Sequence, residues 1–122
     1  MKSVDHVARI LSDAGASYAL IGGHAVNVLL EPRFTADIDV TIDAEPETVE
    51  RAHAALLAHG FHITHEHGGA APSGPDFLRF VDDEGTVVEL QTAKTALQRS
   101  VIARAHDHGG VRVATPEDLI IF

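Results

Sequence analysis

The stretch Tyr18–Ile42, with the sequence YALIGGHAVNVLLEPRFTADIDVTI, decides the fold of this chain. The short apolar run Ser17–Ile21 at its start predicts a buried strand, which a pair of glycines ends. The apolar residues His24–Leu30 predict a helix that ends before a proline, and the β-branched run Ile38–Ile42 predicts a second strand. This stretch therefore predicts a strand, a glycine bend, a helix and a second strand in succession.

The rest of the chain alternates between helix-type and strand-type patterns. Helices are predicted over residues 2–14, Pro46–Gly60 and Ala93–Ala105, and strands over Phe61–His65, Phe77–Val81, Thr86–Gln91 and Val111–Ala114. An acidic turn between two of these strands predicts a hairpin, and Gly68–Pro75 predicts a loop. This order predicts an α/β or α+β domain in which helices flank a mixed, partly antiparallel sheet.

The last residues of the chain have the pattern of a helix start. Thr115-Pro116-Glu117-Asp118 combines an N-cap, a proline at the first helical position and an acidic first turn. The segment Leu119–Phe122 that follows is too short to form a stable helix alone. We therefore expect a single domain over residues 1–122 that either is truncated at its C-terminus or docks this end on something else.

The composition is that of a folded, acidic protein. The 122 residues carry 18 Asp and Glu against 9 Lys and Arg, which gives a formal charge of −9. This balance disfavours a broad cationic surface for duplex DNA and favours cationic small molecules or divalent metals as ligands. The absence of cysteine excludes disulfides, thiolate zinc sites and cysteine nucleophiles. With no signal peptide and no apolar run of membrane length, we expect a cytoplasmic protein without a membrane partner.

Asp37 and Asp39 have the pattern that points most directly to chemistry. Residues two apart in a strand lie on one face with their Cα atoms roughly 6–7 Å apart, so these carboxylates repel each other. A divalent cation relieves the repulsion, and carboxylate oxygens suit Mg²⁺ or Mn²⁺. Two such ions can clamp an in-line phosphoryl transfer. Glu89, alone among apolar residues, would lie about 5 Å from these acids if its strand pairs with theirs.

Gly22 and Gly23 are candidates for a phosphate-binding bend. A strand that ends in two glycines and enters a helix lets the backbone approach a phosphate closely, and the helix N-terminus offers free N–H groups. Arg33 and Thr35 lie just before the acids, where Arg33 could neutralise a triphosphate through a bidentate contact. Candidate metal ligands and candidate nucleotide ligands therefore occur in one stretch.

A strand, a Gly-Gly pair and a helix, followed by Arg-x-Thr-x-Asp-x-Asp and an acid on a later strand, resemble the nucleotidyltransferase superfamily with the DNA polymerase β-type fold. The pattern is similar to that of the minimal nucleotidyltransferases and the AbiEii-type toxin nucleotidyltransferases, and Val113–Ile120 is similar to the segment that leads into their C-terminal helical region. The resemblance implies Mg²⁺-dependent transfer of a nucleoside monophosphate from a nucleoside triphosphate, such as ATP, to a hydroxyl or similar acceptor, with release of pyrophosphate.

The resemblance also implies roles for individual residues. Asp37 and Asp39 would hold the metal ions, and Glu89 would be the third acid, acting as a base or as a metal ligand. The nucleotide-binding turn and its polar flanks would be Gly22, Gly23, Arg33 and Thr35. The chain departs from the family pattern in two ways: Gly23 stands where many members have a serine, and the usual helical region does not follow Phe122.

Several alternatives stay open at this stage. The acceptor could be a tRNA end, a protein hydroxyl or a cationic small molecule such as an aminoglycoside. The rival function is a non-catalytic nucleotidyltransferase-like module that binds a partner, for example an antitoxin within a toxin–antitoxin pair, or a second copy of itself. His65 and His67 would share a strand face, but we expect surface histidines rather than a zinc site. Lys94 is expected to be a solvated helix lysine rather than a phosphate ligand.

Overall fold

The computed structural model describes residues 2–21, 37–69 and 75–121, which form a seven-stranded mixed sheet with helices on both faces. The helices of this described part are α1 (Val4–Asp13), α2 (Pro46–Ala58), α3 (Ala96–Arg104) and α4 (Pro116–Ile121). Its strands are β1 (Tyr18–Ile21), β2 (Asp37–Asp43), β3 (His62–His67), β4 (Phe77–Val81), β5 (Val87–Ala93), β6 (His106–His108) and β7 (Val111–Val113). The predicted α+β class, with a mixed sheet flanked by helices, is confirmed.

The strand order of the sheet is β3-β4-β5-β2-β1-β7-β6. β2 pairs in parallel with β5 and β1 pairs in parallel with β7, whereas the other neighbours are antiparallel. β2 is therefore the middle strand. From the sequence we expected the acids of this strand to lie at one sheet edge, facing a cleft. This expectation is wrong, because β2 has neighbouring strands on both sides. Its residues Ile38, Val40 and Ile42 are buried on one face.

One face of the sheet packs against α1 and α2 and forms the larger core. α1 begins at the N-cap Ser3, whose side chain accepts a hydrogen bond from the backbone N–H of His6. Its apolar face then meets α2 and the sheet. The fully or almost fully buried residues of this core include Val7, Leu11, Leu20, Ile38, Val40, Ile42, Leu56, Phe80, Val88 and Val113.

The opposite face of the sheet, which we call the acid face, carries Asp37 and Asp39. α3 packs on part of this face, where Val101 and Ala105 contact the apolar residues of β1. Ala19 and Ile21 of β1 lie on the acid face because they pair with Thr41 and Asp39 of β2. α3 therefore packs over β1 and β2 on this face and also contacts β5, with a small apolar cluster on β1.

The C-terminal helix α4 begins at Pro116, as its N-cap pattern predicted, and docks on α3. The Thr115 hydroxyl accepts a hydrogen bond from the backbone N–H of Asp118, as expected of an N-cap. The carboxylate of Asp118 is only 2% exposed and pairs with the guanidinium of Arg104 at the end of α3. This tertiary contact stabilises a helix of six residues, which would be too short to be stable alone.

Other element boundaries differ from the predictions for local reasons. α3 begins at Ala96 rather than Ala93, because β5 extends to Ala93 and Thr95 forms a capping box with Gln98. β3 is shifted toward His67, and the short polar strand β6 was not predicted. The predicted helix His24–Leu30 and the centre of the predicted loop Gly68–Pro75 lie outside the described residues. Within the described ranges, no helix has the length and hydrophobicity needed to cross a membrane.

The predicted hairpin between β4 and β5 is present and is tied to the N-terminus. In its turn, the buried Asp82 carboxylate accepts hydrogen bonds from the backbone N–H groups of Glu84 and Thr86. The ammonium group of Lys2 lies 2.6 Å from the same carboxylate. Although burial opposes ionisation of Asp82, the hydrogen bonds from Lys2 and Thr86 hold its pKa below the ordinary value.

Candidate active site

Asp37, Asp39 and Glu89 lie together on the acid face at the centre of the sheet. β2 and β5 run in parallel, and their register places Asp39 directly beside Glu89 and Asp37 beside Val87. Neighbouring strands are about 4.8 Å apart, so the side chains of Asp39 and Glu89 are direct neighbours. Asp37 lies two residues before Asp39 on the same face and is exposed, whereas Asp39 and Glu89 are half-buried. The condition stated from the sequence, that the Glu89 strand pairs with the aspartate strand, is therefore met.

The carboxyl group of Asp39 is the most strongly perturbed titratable group of this cluster. Burial raises its pKa first, and a hydrogen bond and charge repulsion from Glu89 raise it further. Asp37 adds a smaller repulsion, and the resulting pKa of Asp39 is about 7. Near neutral pH, the cluster therefore retains a proton that an isolated aspartate would have lost. Binding of a divalent cation would neutralise the repulsion and displace this proton into solvent.

Among the described residues, three buried polar atoms of the acid face have no hydrogen-bond partner: Oδ1 of Asp39, Oγ1 of Thr41 and Nε of Arg79. Thr41 follows Asp39 by two residues on β2, and Arg79 of β4 lies directly opposite Glu89. An unsatisfied buried donor or acceptor costs about 1–3 kcal/mol, so three of them on one face require an explanation. Of the three residues, Asp39 and Arg79 are half-buried, whereas Thr41 is completely buried.

Arg79 and Thr41 were not identified from the sequence as site residues. A signal for Arg79 was present, because it is the polar centre of the strand Phe77–Val81, in which alternate residues share a face. Which strand lies beside β4 depends on contacts between distant residues, so the position of Arg79 opposite Glu89 could not be derived from that pattern. For Thr41, a threonine in a β-branched run is ordinary and carries no signal.

The chemistry of the acidic cluster suits a hard divalent cation. Its donors are carboxylate oxygens, the ligands that Mg²⁺ and Mn²⁺ prefer, and one of them is buried without a partner. Among the residues that the structure describes, however, no three His, Cys, Asp or Glu side chains are placed so that together they could hold a metal ion. The three acids therefore share a face without forming a ready-made three-ligand cage.

Four of the sequence-predicted site residues, Gly22, Gly23, Arg33 and Thr35, lie outside the described residues. Ile21, which directly precedes Gly22, pairs with Asp39. The chain therefore leaves β1 beside the acidic cluster, at the same level of the sheet. Lys94 was expected to lie on a helix, but it does not. It lies between β5 and α3, where its ammonium group is 2.7 Å from a carboxylate oxygen of Asp76.

Solved structures with similar architecture are nucleotidyltransferases. ANT(2″)-Ia in complex with adenylyl-2″-tobramycin matches over 93% of this chain and 68% of its own, with 18% identity and a TM-score of 0.65. A Helicobacter pylori protein assigned as a nucleotidyltransferase matches over 97% of this chain and 55% of its own, with 17% identity and a TM-score of 0.56. A tRNA-processing enzyme in an apo form matches over 96% of this chain and 32% of its own, with 17% identity and a TM-score of 0.55.

The amino-acid sequence shows no comparable similarity to known families or curated proteins. No protein-family profile matches it, and no curated protein sequence matches it. At 17–18% identity, the similarity to these three structures concerns the path of the backbone rather than individual side chains. This chain has the nucleotidyltransferase fold.

Proposed function

We propose that this domain transfers a nucleoside monophosphate from a nucleoside triphosphate to a hydroxyl-bearing acceptor, with the help of a divalent cation. The observation that carries the proposal is the register of β2 and β5, which brings Asp39 beside Glu89 with Asp37 on the same face. Acids buried beside one another are costly, and the raised pKa of Asp39 measures that cost. Carboxylates gathered on one face are the type of ligand that a cation-dependent phosphoryl-transfer site uses.

In this proposal the three acids hold the cation together, and Glu89 also acts as the base. Asp37, Asp39 and Glu89 would hold Mg²⁺ or Mn²⁺, which when bound would neutralise their repulsion and the charge of the triphosphate. The acceptor hydroxyl would attack the α-phosphorus while the bond to the bridging oxygen breaks and pyrophosphate leaves. Glu89 would take the proton of the hydroxyl, because it lies on the side of Asp39 that faces away from β1.

The nucleotide would lie on the β1 side of Asp39. Gly22 and Gly23 are the proposed phosphate-binding bend, with Arg33 and Thr35 as the polar residues that flank it. The pairing of Ile21 with Asp39 supports this arrangement, since the chain enters the bend directly beside the acidic cluster. Backbone N–H groups would then be the phosphate donors, because Gly23 offers no side-chain hydroxyl.

The test is release of pyrophosphate from a panel of nucleoside triphosphates with and without Mg²⁺. Candidate acceptors are tobramycin and tRNA, in view of ANT(2″)-Ia with its adenylyl-2″-tobramycin and the tRNA-processing enzyme, and a protein hydroxyl. Asp39→Asn should lower the rate at least about 100-fold, which corresponds to ~2.7 kcal/mol of lost transition-state stabilisation. Full turnover by this variant would contradict the assignment.

Asp43→Asn is the matched control for this variant. Asp43 lies at the other end of β2 on the same face, beside Ala93 rather than an acid, so its substitution should leave the rate unchanged. If the unchanged protein released no pyrophosphate with any nucleoside triphosphate and showed no metal-dependent binding of them by calorimetry, the enzyme proposal would fall. The rival function, a non-catalytic binding module, would then be the better description.

A further inference from the structure

Arg79 lies in one row with the two central acids of the site. The antiparallel pairing of β4 and β5 places it directly opposite Glu89, which itself lies beside Asp39. Residues in register on neighbouring strands share a face, so the row Arg79–Glu89–Asp39 crosses three strands of the acid face. Arg79 is thus next to the proposed base, on the side away from Asp39.

The guanidinium group of Arg79 is poorly satisfied by the protein itself. The residue is half-buried, and its Nε is buried without a hydrogen-bond partner. Arg79 takes part in none of the ion pairs formed among the described residues. Because a guanidinium presents a planar fork of donors that matches phosphate, an unpaired one beside a transfer site is suited to an anionic group of the substrate.

A bulge in β3 adds three histidines to the same side of the sheet. The register of β3 against β4 shifts between Ile63 and His65, so that His62, His65 and His67 all fall on the acid face. In a regular strand His62 and His65, which are three residues apart, would point to opposite faces; the bulge at Thr64 brings them to the same face. The Thr64 hydroxyl donates to the carbonyl oxygen of Arg79, 3.4 Å away, which ties the bulge to β4.

The part of the acid face beyond Glu89 is therefore lined by donors and aromatic rings. His65 pairs with Arg79, and His67 pairs with the half-buried Phe77. All three histidines are exposed. Glu66, the acidic residue of β3, pairs with the core residue Leu78 and so lies on the opposite face. In a chain of net charge −9, this strip, His62, His65, His67, Phe77 and Arg79, is without an acidic side chain on β3 or β4.

We propose that this strip is the acceptor subsite and that Arg79 binds a phosphate group of the acceptor close to the hydroxyl that Glu89 deprotonates. The inference rests on the proposed function. It assigns the β1 side of Asp39 to the nucleoside triphosphate and the β4 side to the acceptor. A phosphate-bearing acceptor fits the Arg79 guanidinium, which forms no ion pair among the described residues, and the histidine N–H groups; Phe77 and the imidazoles could stack on a base. A polycationic acceptor such as tobramycin would instead be repelled by Arg79.

The test uses two phosphate-bearing probes with a free 3′-hydroxyl, a short RNA oligonucleotide and adenosine 5′-monophosphate, and tobramycin as the cationic probe. Binding of each to the unmodified chain and to Arg79→Gln and Arg79→Lys is measured by calorimetry over a range of salt concentrations. Arg79→Gln should weaken binding of at least one phosphate probe about tenfold or more and reduce the salt slope of log Kd by about one. Arg79→Lys should restore the salt slope but only part of the affinity.

Arg9→Ala is the control for the binding measurements, because it removes the same charge from the exposed surface of α1, on the other side of the sheet.

In the transfer assay, Arg79→Gln should raise KM for the phosphate-bearing acceptor and leave KM for the nucleoside triphosphate unchanged. A raised KM for the triphosphate alone, tighter binding of tobramycin than of both phosphate probes, or no binding of either phosphate probe to the unmodified chain would overturn the subsite. Absence of pyrophosphate release with phosphate-probe binding intact would overturn only the proposed reaction. If the oligonucleotide binds and the monophosphate does not, the source is a nucleic acid end, and the reverse result indicates a small phosphorylated acceptor.

Discussion

Removal of the Asp39 charge should stabilise the folded protein, and more so at higher pH. In the unfolded chain an aspartate ionises near its ordinary pKa of 3.8, whereas in the folded protein burial, Glu89 and Asp37 raise the pKa of Asp39 to about 7. The folded state therefore holds a proton that the unfolded state has lost. It follows that folding stability falls as the pH rises from about 4 to about 7. Asp39→Asn removes this penalty while keeping nearly the same shape.

The size of the effect follows from the difference between the two pKa values. A rise from 3.8 to about 7 corresponds to ~4 kcal/mol between the charged and neutral forms. Because the half-buried carboxyl keeps part of its contact with solvent, which screens the repulsion, we expect about 1–2 kcal/mol of this to appear as stability. The gain of Asp39→Asn over the unmodified chain should reach this value near pH 8 and be clearly smaller near pH 5.

Urea unfolding with a chelator present measures this difference. The chain has no tryptophan, so far-ultraviolet circular dichroism is the suitable signal. Asp43→Asn, at the other end of β2 beside Ala93, should not reproduce the pH-dependent gain. Mg²⁺ at high pH should stabilise the unmodified chain and not Asp39→Asn, since a ligand stabilises only the form that binds it. A gain that is equal at both pH values, or a variant less stable near pH 8, would refute the account of charge repulsion.

Three further substitutions test the core, a buried hydroxyl and the Lys2–Asp82 ion pair. Phe80→Ala should lower the free energy of unfolding by about 3–5 kcal/mol in urea titrations, because Phe80 is completely buried in the larger core; a loss below about 1 kcal/mol would contradict this. Thr41→Val should raise it by about 1 kcal/mol, since a buried hydroxyl without a partner is replaced by a methyl group of similar size, and a lower melting temperature would disprove the reasoning. Asp82→Asn should cost about 1–2 kcal/mol at neutral pH through the weakened contact with Lys2. It should also flatten the loss of stability on acidification, because the lowered pKa of Asp82 stabilises the fold above about pH 4 and this contribution disappears as the pH falls; an unchanged acid limb would argue against the pair.

The parts of the fold that local patterns determine were predictable, and the parts that depend on pairing were not. The apolar spacing in α1 and the turn at Asp82 are both visible within a few residues of sequence. A usable signal was also overlooked, because Thr95-Ala96-Leu97-Gln98 is a capping-box pattern that marks the true start of α3. In contrast, the strand β6 consists of three exposed polar residues and carries no apolar pattern, so only its pairing with β7 identifies it.

In the candidate site, too, local patterns predicted some features, and others depended on strand pairing. That Asp37 and Asp39 share a face follows from strand periodicity alone, whereas the position of Glu89 required the two strands to pair, which the sequence could state only as a condition. The row from Arg79 to Asp39 joins residues that are far apart in sequence on three strands. A one-residue slip in either pairing would move Glu89 or Arg79 to the opposite face, so this row depends on the register of both pairings.

The register of these strands is set by the face that carries no chemistry. On the side of α1 and α2, the strands β2, β4 and β5 present Val40, Phe80 and Val88, each almost completely buried in the larger core. Their packing opposes a slip, because a one-residue slip would move these three side chains out of the core to the opposite face of the sheet. The acid face can therefore hold repelling carboxylates and unsatisfied polar atoms, which destabilise it by a few kcal/mol, without losing its alignment. A substitution in the core that weakens this register should therefore impair the site even though it lies on the other side of the sheet.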